Sequence, residues 1–142
     1  MSDDHDIETY LASQPHGMGA LNEKLGIELV AISPERVVAT MPVEGNTQIH
    51  GVLHGGASVA LAETVGSVAA SLHAMPDKIA VGVDINATHH RAVRDGVVTG
   101  VATPIYLGRT TTSYEVVVTD DRDKRVCTAR ITCQLIQAPP GS

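Results

Sequence analysis

Phenylalanine and tryptophan are absent from this sequence of 142 residues, and tyrosine occurs only three times. Nothing in the chain therefore offers a dedicated pocket of stacked aromatic rings. A continuous apolar stretch of about 20 residues, which a membrane-spanning helix would need, is also missing. A chain of this length can bury about two-thirds of its unfolded surface, so we expect one domain that has no membrane partner.

Positive charge is scarce as well. The sequence has 10 Lys and Arg residues against 16 Asp and Glu residues, which gives a formal net charge of −6. Four of the acids, Asp3, Asp4, Asp6 and Glu8, fall within the first eight residues. The basic stripe that binding to a phosphate backbone requires is missing, and this argues against nucleic acid as a partner.

Only two cysteines are present, Cys127 and Cys133. They lie six residues apart in one predicted strand, which separates them by about 20 Å and prevents them from pairing within it. The acidic start of the chain also lacks the basic and then apolar pattern of a secretion signal. Together these features predict a protein of the reducing cytoplasm.

The pattern of apolar residues divides the chain into elements. Residues 1–16 are predicted to form a flexible acidic arm or a short frayed helix, residues 17–137 a single domain and residues 138–142 a tail. Within the domain a short helix should end at Gly26, and a long apolar helix should cover residues 51–73. Period-two alternation and turn residues predict six strands. These strands cover residues 27–32, 37–43, 79–89, 97–107, 112–120 and 125–136.

This order of elements, with short connections among the later strands, predicts an α+β domain. A single antiparallel sheet would carry one long helix on its face. The helix is apolar on nearly every side and therefore needs cover from more than one direction. A curved sheet that wraps around the helix, or a second copy of the chain, would supply that cover.

One acidic residue interrupts the long apolar helix. Glu63 is the only Asp, Glu, Lys or Arg between Glu44 and Asp77. Burying a lone carboxylate costs several kcal/mol or raises its pKa, so a buried Glu63 would be a candidate catalytic group. The helical period places it on a stripe of small residues that includes Ala60 and Ser67, which would leave room for a ligand. The alternative is that Glu63 lies on the one face of the helix that reaches solvent.

Three residues at the predicted start of this helix, His54, Gly55 and Gly56, form a second candidate. Glycine lets a ligand approach the free N–H groups of a helix start, which carry the positive end of the helix dipole. Such donors could form an oxyanion hole for the tetrahedral intermediate of acyl transfer. A plain glycine-rich helix start is the simpler explanation.

The residues Gln48-Ile49-His50-Gly51-Val52-Leu53-His54-Gly55-Gly56, followed by Leu61-Ala62-Glu63 and Ser67, resemble the signature of hotdog-fold acyl-CoA thioesterases. The similarity is to the branch of the hydroxybenzoyl-CoA and dihydroxynaphthoyl-CoA enzymes in the PaaI-like superfamily, and it extends over residues 25–136. It implies a hotdog fold, in which a curved antiparallel sheet wraps around one long central helix. It also implies pairing of the chain into homodimers, with the acyl pocket between subunits, and a homotetramer of two such dimers.

The resemblance also implies roles for the candidate residues in hydrolysis of an aromatic acyl-CoA. Glu63 would be the nucleophile or general base, and the Gly55 N–H would donate to the thioester carbonyl. Gln48 and His54 would position and polarise the substrate, and Ser67 would orient the attacking water or the carboxylate. This chemistry needs neither a metal nor a cofactor, because N–H donors stabilise the oxyanion. The covalent and general-base routes use the same residues and stay open.

Coenzyme A carries phosphates, so a thioesterase needs cations at the mouth of its pocket. The resemblance places several residues along the CoA molecule, and Gly82 would let the pantetheine arm pass close to its strand. Ordinary solvated charges at turns are the alternative for each cation. The predicted CoA-binding residues are Gly82, His89, His90, Arg91, Gly108, Arg109 and Thr110.

Three rival functions stay open. One is a hotdog enoyl-CoA hydratase, but the candidate pair Asp84 and His89 would point to opposite faces of a strand. Another is a non-catalytic acyl-CoA-binding module, which would have no reason to keep Glu63, Ser67 and Gln48 together. Because aromatic side chains are scarce, an aliphatic acyl-CoA also stays possible as the substrate.

Overall fold

Two short helices precede the sheet in the computed structural model, which describes residues 6–139. Helix α1 covers Ile7–Ala12 and helix α2 covers Ala20–Leu25. As predicted, α2 ends at Gly26, whose φ of 76° favours glycine. A side chain there would also meet the ring of Pro42 at 2.9 Å. The first five residues of the predicted arm and the last three of the predicted tail lie outside the described residues.

Six antiparallel strands form one sheet in the order β1-β2-β4-β5-β6-β3. They follow the predicted strands to within one or two residues at each end, because alternation and turn residues mark these segments clearly. Strand β3 lies at one edge of the sheet, and β6 is its only neighbour among the described residues. The strands are β1 Glu28–Ala31, β2 Val37–Pro42, β3 Lys78–His89, β4 Val97–Leu107, β5 Thr111–Thr119 and β6 Arg125–Gln137.

The long helix α3 covers Gly55–Ala74 and begins where His54-Gly55-Gly56 are predicted to open it, whereas residues 51–54 of the predicted apolar segment precede the helix. The segment before it is held as a loop by Asn46, whose side-chain amide donates to the carbonyls of Leu25 at 2.7 Å and Pro42 at 2.8 Å. The backbone N–H of His54 donates in turn to the Asn46 carbonyl at 2.9 Å. These contacts come from residues distant in the sequence, which a local pattern does not reveal.

The core lies between α3 and the concave side of the sheet. Helix α3 contacts five strands, and its buried residues include Leu61, Val65 and Ala69. Strand β6 alternates as predicted, and both cysteines, which are free thiols, lie on its buried face. Gly66 of α3 packs so closely on β6 that a side chain there would overlap with Ile131. The sheet therefore covers one side of α3, as the resemblance to hotdog proteins predicts.

The opposite side of α3 is more open. Gly56 and Glu63 are exposed, whereas Ala60 and Thr64 are partly exposed. Helix α2 lies against this side, where Thr64 bonds to Asn22. Within residues 6–139 no helix is both long enough and apolar enough to cross a membrane.

Candidate active site

The loop before α3 presents Gln48 at the start of the site. Its backbone is fixed by hydrogen bonds of 2.8 Å to the Val52 carbonyl and 2.9 Å from the Gly51 N–H. The side-chain Oε1 accepts from the N–H of His50. The other half of the amide, its NH2 group, has no acceptor among the described residues and is available as a donor.

The first turn of α3 contains one open donor. His54 is the N-cap, and its Nδ1 accepts from the Gly56 N–H at 2.7 Å, which in the neutral ring leaves the proton on Nε2. The N–H groups of Ala57 and Ser58 donate to the His54 carbonyl. Among residues 6–139 the Gly55 N–H has no acceptor, and it lies at the positive end of the helix dipole.

The His89 ring stands directly over Gly55. A Cβ atom on Gly55 would lie 3.0 Å from His89 Nε2, so glycine allows this close approach. His90 turns elsewhere, because its Nε2 lies 2.9 Å from Thr128 Oγ1. Arg91 points toward Asp120, with 3.4 Å between its Nε and a carboxylate oxygen.

A cavity of about 420 Å³ brings part of the predicted site together at this end of the helix. Five of the predicted residues line it, two from the catalytic set and three from the CoA-binding set. Those five are Gln48, Gly55, His89, His90 and Arg91.

Glu63 lies elsewhere, in the middle of α3. In a single chain the structure places it on the exposed face of the helix, which is the alternative that the sequence left open. Two cavities adjoin it, one of about 540 Å³ toward α2 and one of about 200 Å³ toward β3. The smaller cavity also contains Gly82, which is exposed and has no atom within 4 Å of where a side chain would begin.

Ser67 lies one turn beyond Glu63 and faces the sheet, where it meets Cys133 of β6. Burial raises the pKa of this thiol, a hydrogen bond from Ser67 partly offsets the rise, and the Glu63 carboxylate adds to it. Cys133 is fully buried. Sequence reasoning did not connect it with the site, and only its inward position in the alternation of β6 could have suggested the contact.

The remaining predicted residues lie at the far end of α3. Gly108 and Arg109, in the loop after β4, line a cavity of about 570 Å³ at the end of α3, and the Thr110 carbonyl accepts from Leu135 N–H at 2.8 Å. Two titratable residues that the sequence analysis did not single out, His73 and Lys78, contact the same loop. His73 Nε2 lies 2.8 Å from the Gly108 carbonyl, and Lys78 Nζ donates to the Arg109 carbonyl.

The predicted site residues therefore form three groups along one helix rather than a single pocket. Gly55 and Glu63 are eight residues apart, which is about 12 Å along the axis. They line different cavities in the single chain. No group of three or more His, Cys, Asp or Glu side chains suited to a metal ion occurs within residues 6–139.

Known proteins share both the sequence and the fold. Residues 50–127 match the model of the Thioesterase superfamily. The proofreading thioesterase EntH of Cronobacter turicensis is 47% identical over 116 residues, which cover 81% of this chain and 85% of that protein.

Solved structures agree with this match. The thioesterase HI1161 of Haemophilus influenzae, of class EC 3.1.2.-, is 40% identical, with a TM-score of 0.86 and coverage of 97% and 96% of the two chains. The PaaI protein of E. coli has a TM-score of 0.81 over 93% of this chain and 95% of that one, but its 22% identity supports the fold alone. The chain thus belongs to the Thioesterase superfamily and is a thioester hydrolase with the hotdog fold.

Proposed function

We propose that the chain hydrolyses an aromatic acyl-CoA of the hydroxybenzoyl or dihydroxynaphthoyl kind, with Glu63 as the nucleophile or general base. The observation that carries the proposal is the pairing of two features on α3. One is the Gly55 N–H, which has no acceptor in the described part of the chain, and the other is the Glu63 carboxylate beside a cavity. Thioester hydrolysis needs one group of each kind.

The Gly55 N–H would stabilise the negative charge that develops on the thioester oxygen. A donor at a helix start is already oriented, and the helix dipole adds to its effect on an anion. The side-chain amide of Gln48 lines the same cavity and would supply a second donor. His54 holds the turn through its bond to Gly56 and would present its Nε2 proton to the substrate.

The Glu63 carboxylate would accept a proton from water as the water oxygen attacks the thioester carbon. The C–S bond then breaks, the acid leaves, and the CoA thiolate takes up the proton. In the covalent route the carboxylate attacks the carbon itself, the C–S bond breaks and the CoA thiolate leaves. Water then hydrolyses the resulting anhydride to the free acid and the Glu63 carboxylate. Ser67, one turn away, would orient either the water or the carboxylate.

A second copy of the chain would bring these groups together. Gly55 and Glu63 of one chain line separate cavities, whereas antiparallel α3 helices in a dimer would set Gly55 of one copy near Glu63 of the other. Strand β3 offers an edge for pairing, since one side has no neighbour within the described sheet and its Val81 and Val83 are 41% and 55% exposed. We therefore propose a homodimer with shared sites, and a homotetramer built from two such dimers.

Cations at both ends of α3 would hold the CoA phosphates. His89, His90 and Arg91 lie at the first cavity, and the Gly108-Arg109-Thr110 loop lies at the last. The pantetheine arm would pass between these ends along Gly82. A location in the reducing cytoplasm stays a prediction that follows from the free thiols.

The decisive experiment measures thiol release from a panel of aromatic and aliphatic acyl-CoAs by the wild type and by Glu63→Gln. The amide keeps the shape of the side chain and removes its basicity, so we expect kcat to fall at least a hundredfold, within the range of general base catalysis. Binding of a non-hydrolysable CoA thioether should be unchanged. The matched control is Glu115→Gln, because Glu115 is exposed on β5, far from the predicted site.

The same panel of acyl-CoAs also distinguishes the proposed function from its alternatives. Preference for aliphatic chains would replace the aromatic assignment and leave the mechanism intact. Full activity of Glu63→Gln would remove Glu63 from the chemistry. A wild type that binds CoA thioesters but releases no thiol would favour the binding module instead.

A further inference from the structure

We infer that the acyl group lies in the cavity between α2 and α3, and that Asn22 and Thr64 accept a hydrogen bond there from a hydroxyl group on it. This assigns two specificity-determining residues, and it rests on the proposed function. The cavity measures about 540 Å³ and contains Glu63. Asn22 of α2 and Thr64 of α3 also line it.

The size of this cavity distinguishes it from the other space beside Glu63. Pockets for small molecules typically measure about 300–1,000 Å³, a range that includes the cavity toward α2. The space toward β3 measures only about 200 Å³. Its walls include the exposed strand edge that the proposed dimer would cover. The acyl group therefore has room on the α2 side of Glu63.

Among the side chains that line the cavity, only those of Asn22, Glu63 and Thr64 are polar. Met18, Leu21 and Val59 offer aliphatic surface, and Ala60 leaves space between them. Thr64 and Asn22 form the polar part, joined by a bond of 2.8 Å between Thr64 Oγ1 and Asn22 Oδ1. This arrangement suits an acyl group that is mostly apolar and carries a polar substituent.

The hydrogen bonds of the pair determine what that substituent must be. Thr64 Oγ1 lies 2.8 Å from Asn22 Oδ1 and also 2.8 Å from the Ala60 carbonyl, but a hydroxyl has only one proton to donate. Asn22 uses its side-chain NH2 group on the Met18 carbonyl at 2.8 Å. The pair thus has spare acceptor capacity, at the Thr64 lone pairs and at Asn22 Oδ1. A ligand hydroxyl, which is a donor, complements it.

Specificity follows from this surplus of acceptors. An acyl group with a hydroxyl would satisfy them, whereas an unsubstituted ring would displace water from them and offer no donor in return. We therefore expect the wild type to prefer the hydroxybenzoyl-CoA isomer whose hydroxyl reaches the pair over benzoyl-CoA.

The test compares kcat/KM for benzoyl-CoA and the three monohydroxybenzoyl-CoA isomers in Thr64→Val and Thr64→Ser. Valine removes the hydroxyl but keeps the branched shape, so the ratio for the preferred isomer over benzoyl-CoA should fall about three- to tenfold, as for a neutral hydrogen bond. Serine keeps the hydroxyl and should restore most of the ratio. An unchanged ratio in Thr64→Val would overturn the role of the pair.

Two further variants keep the test decisive if Thr64→Val is poorly folded. Asn22→Ala removes the other acceptor from α2 and should lower the same ratio. Ala60→Leu fills the cavity and should slow all the aroyl thioesters at least tenfold, while acetyl-CoA is affected less. Equal slowing of acetyl-CoA would place the acyl group elsewhere. Any of these negative results would contradict the acyl-group assignment and leave the proposed role of Glu63 unaffected. Inactivity of the wild type toward every thioester would contradict both the acyl-group assignment and the proposed function.

Discussion

The two sides of helix α3 are both rich in small residues, but for different reasons. On the side toward the sheet, Gly66 and Ala69 are buried, and the backbone of Gly66 packs against Ile131. On the open side, Gly56 and Ala60 border a cavity that also contains Glu63. Small residues thus permit close packing on one side and leave space on the other.

This difference shows what the sequence pattern by itself can indicate. A stripe of small residues predicts that something comes close to the helix, but the backbone of a strand and a ligand satisfy it equally well. The neighbours decide between them. At Gly66 a side chain would overlap with Ile131, whereas at Gly55 it would approach the ring of His89, a candidate functional residue. Substitutions at these two glycines should therefore affect different properties.

The largest effect is expected from Gly55→Pro, in the first turn of α3. Proline is tolerated at the first position of a helix, and the ψ of 130° at His54 suits the residue before a proline, so the fold should be kept. The variant lacks the N–H donor, and kcat for thioester hydrolysis should fall about a hundredfold or more. Thiol release under saturating substrate measures it.

Gly55→Ala is the matched control because it adds the same contact with His89 and keeps the N–H. Its activity should exceed that of the proline variant by at least tenfold, with similar urea midpoints for the two proteins. If alanine and proline impair kcat equally, crowding of His89 explains the loss and the oxyanion role of Gly55 is wrong.

On the sheet side, Gly66→Ala should affect stability rather than the chemical step. Alanine has the higher helix propensity, worth about 1 kcal/mol over glycine, so this change would stabilise an open helix. Overlap with Ile131 should reverse the sign and lower the free energy of unfolding by about 1–3 kcal/mol. Urea unfolding at pH 7 checks it.

A second substitution, at Ile131, tests whether this contact causes the loss of stability. In an Ile131→Ala background the added methyl group finds space, so the cost of Gly66→Ala should disappear or become a gain. If the effects of the two substitutions on the free energy of unfolding are additive, Ile131 does not restrict the size of residue 66. The close packing of α3 on β6 at this position would then be wrong.

Much of this architecture could be predicted from the sequence, because alternation and turn residues are local signals. The predicted strand at residues 97–107 coincides with β4, and the hairpin turn at Pro34 separates β1 from β2. What holds the loop before α3 could not be predicted, since Asn46 bonds to the Leu25 carbonyl, 21 residues away in the sequence.

The candidate site was predictable in its residue types but not in its arrangement. The isolated charge of Glu63 and the glycines at the helix start marked these residues as candidates, the resemblance implied their roles, and helix geometry gave their separation. Whether Glu63 is buried depends on what covers the open side of α3, which is a tertiary or quaternary property. Likewise the contact between Ser67 and Cys133 joins residues 66 positions apart in the sequence. The pattern of residues within a single helix or strand cannot predict such a contact.

The smallest expected effect concerns Tyr114, which is fully buried beneath α3 on the sheet side. Its hydroxyl donates to the Pro34 carbonyl at 2.7 Å. Tyr114→Phe should lower the free energy of unfolding by about 1 kcal/mol at pH 7, the usual net value of one hydrogen bond, and leave kcat unchanged. Urea unfolding together with thiol release measures both.

The pH dependence of this variant tests the reason for the effect. Burial raises the pKa of the Tyr114 phenol well above its ordinary value, and the charge of Glu35 adds to the rise. The unfolded chain ionises near pH 10 while the folded chain does not, so this contribution is present below pH 10 and is lost as pH rises further. The difference in stability between wild type and Tyr114→Phe should therefore shrink between pH 9 and pH 10.5. A constant difference would mean that the phenol ionises equally in the folded protein, and that the sheet side of α3 is less tightly closed than its packing indicates.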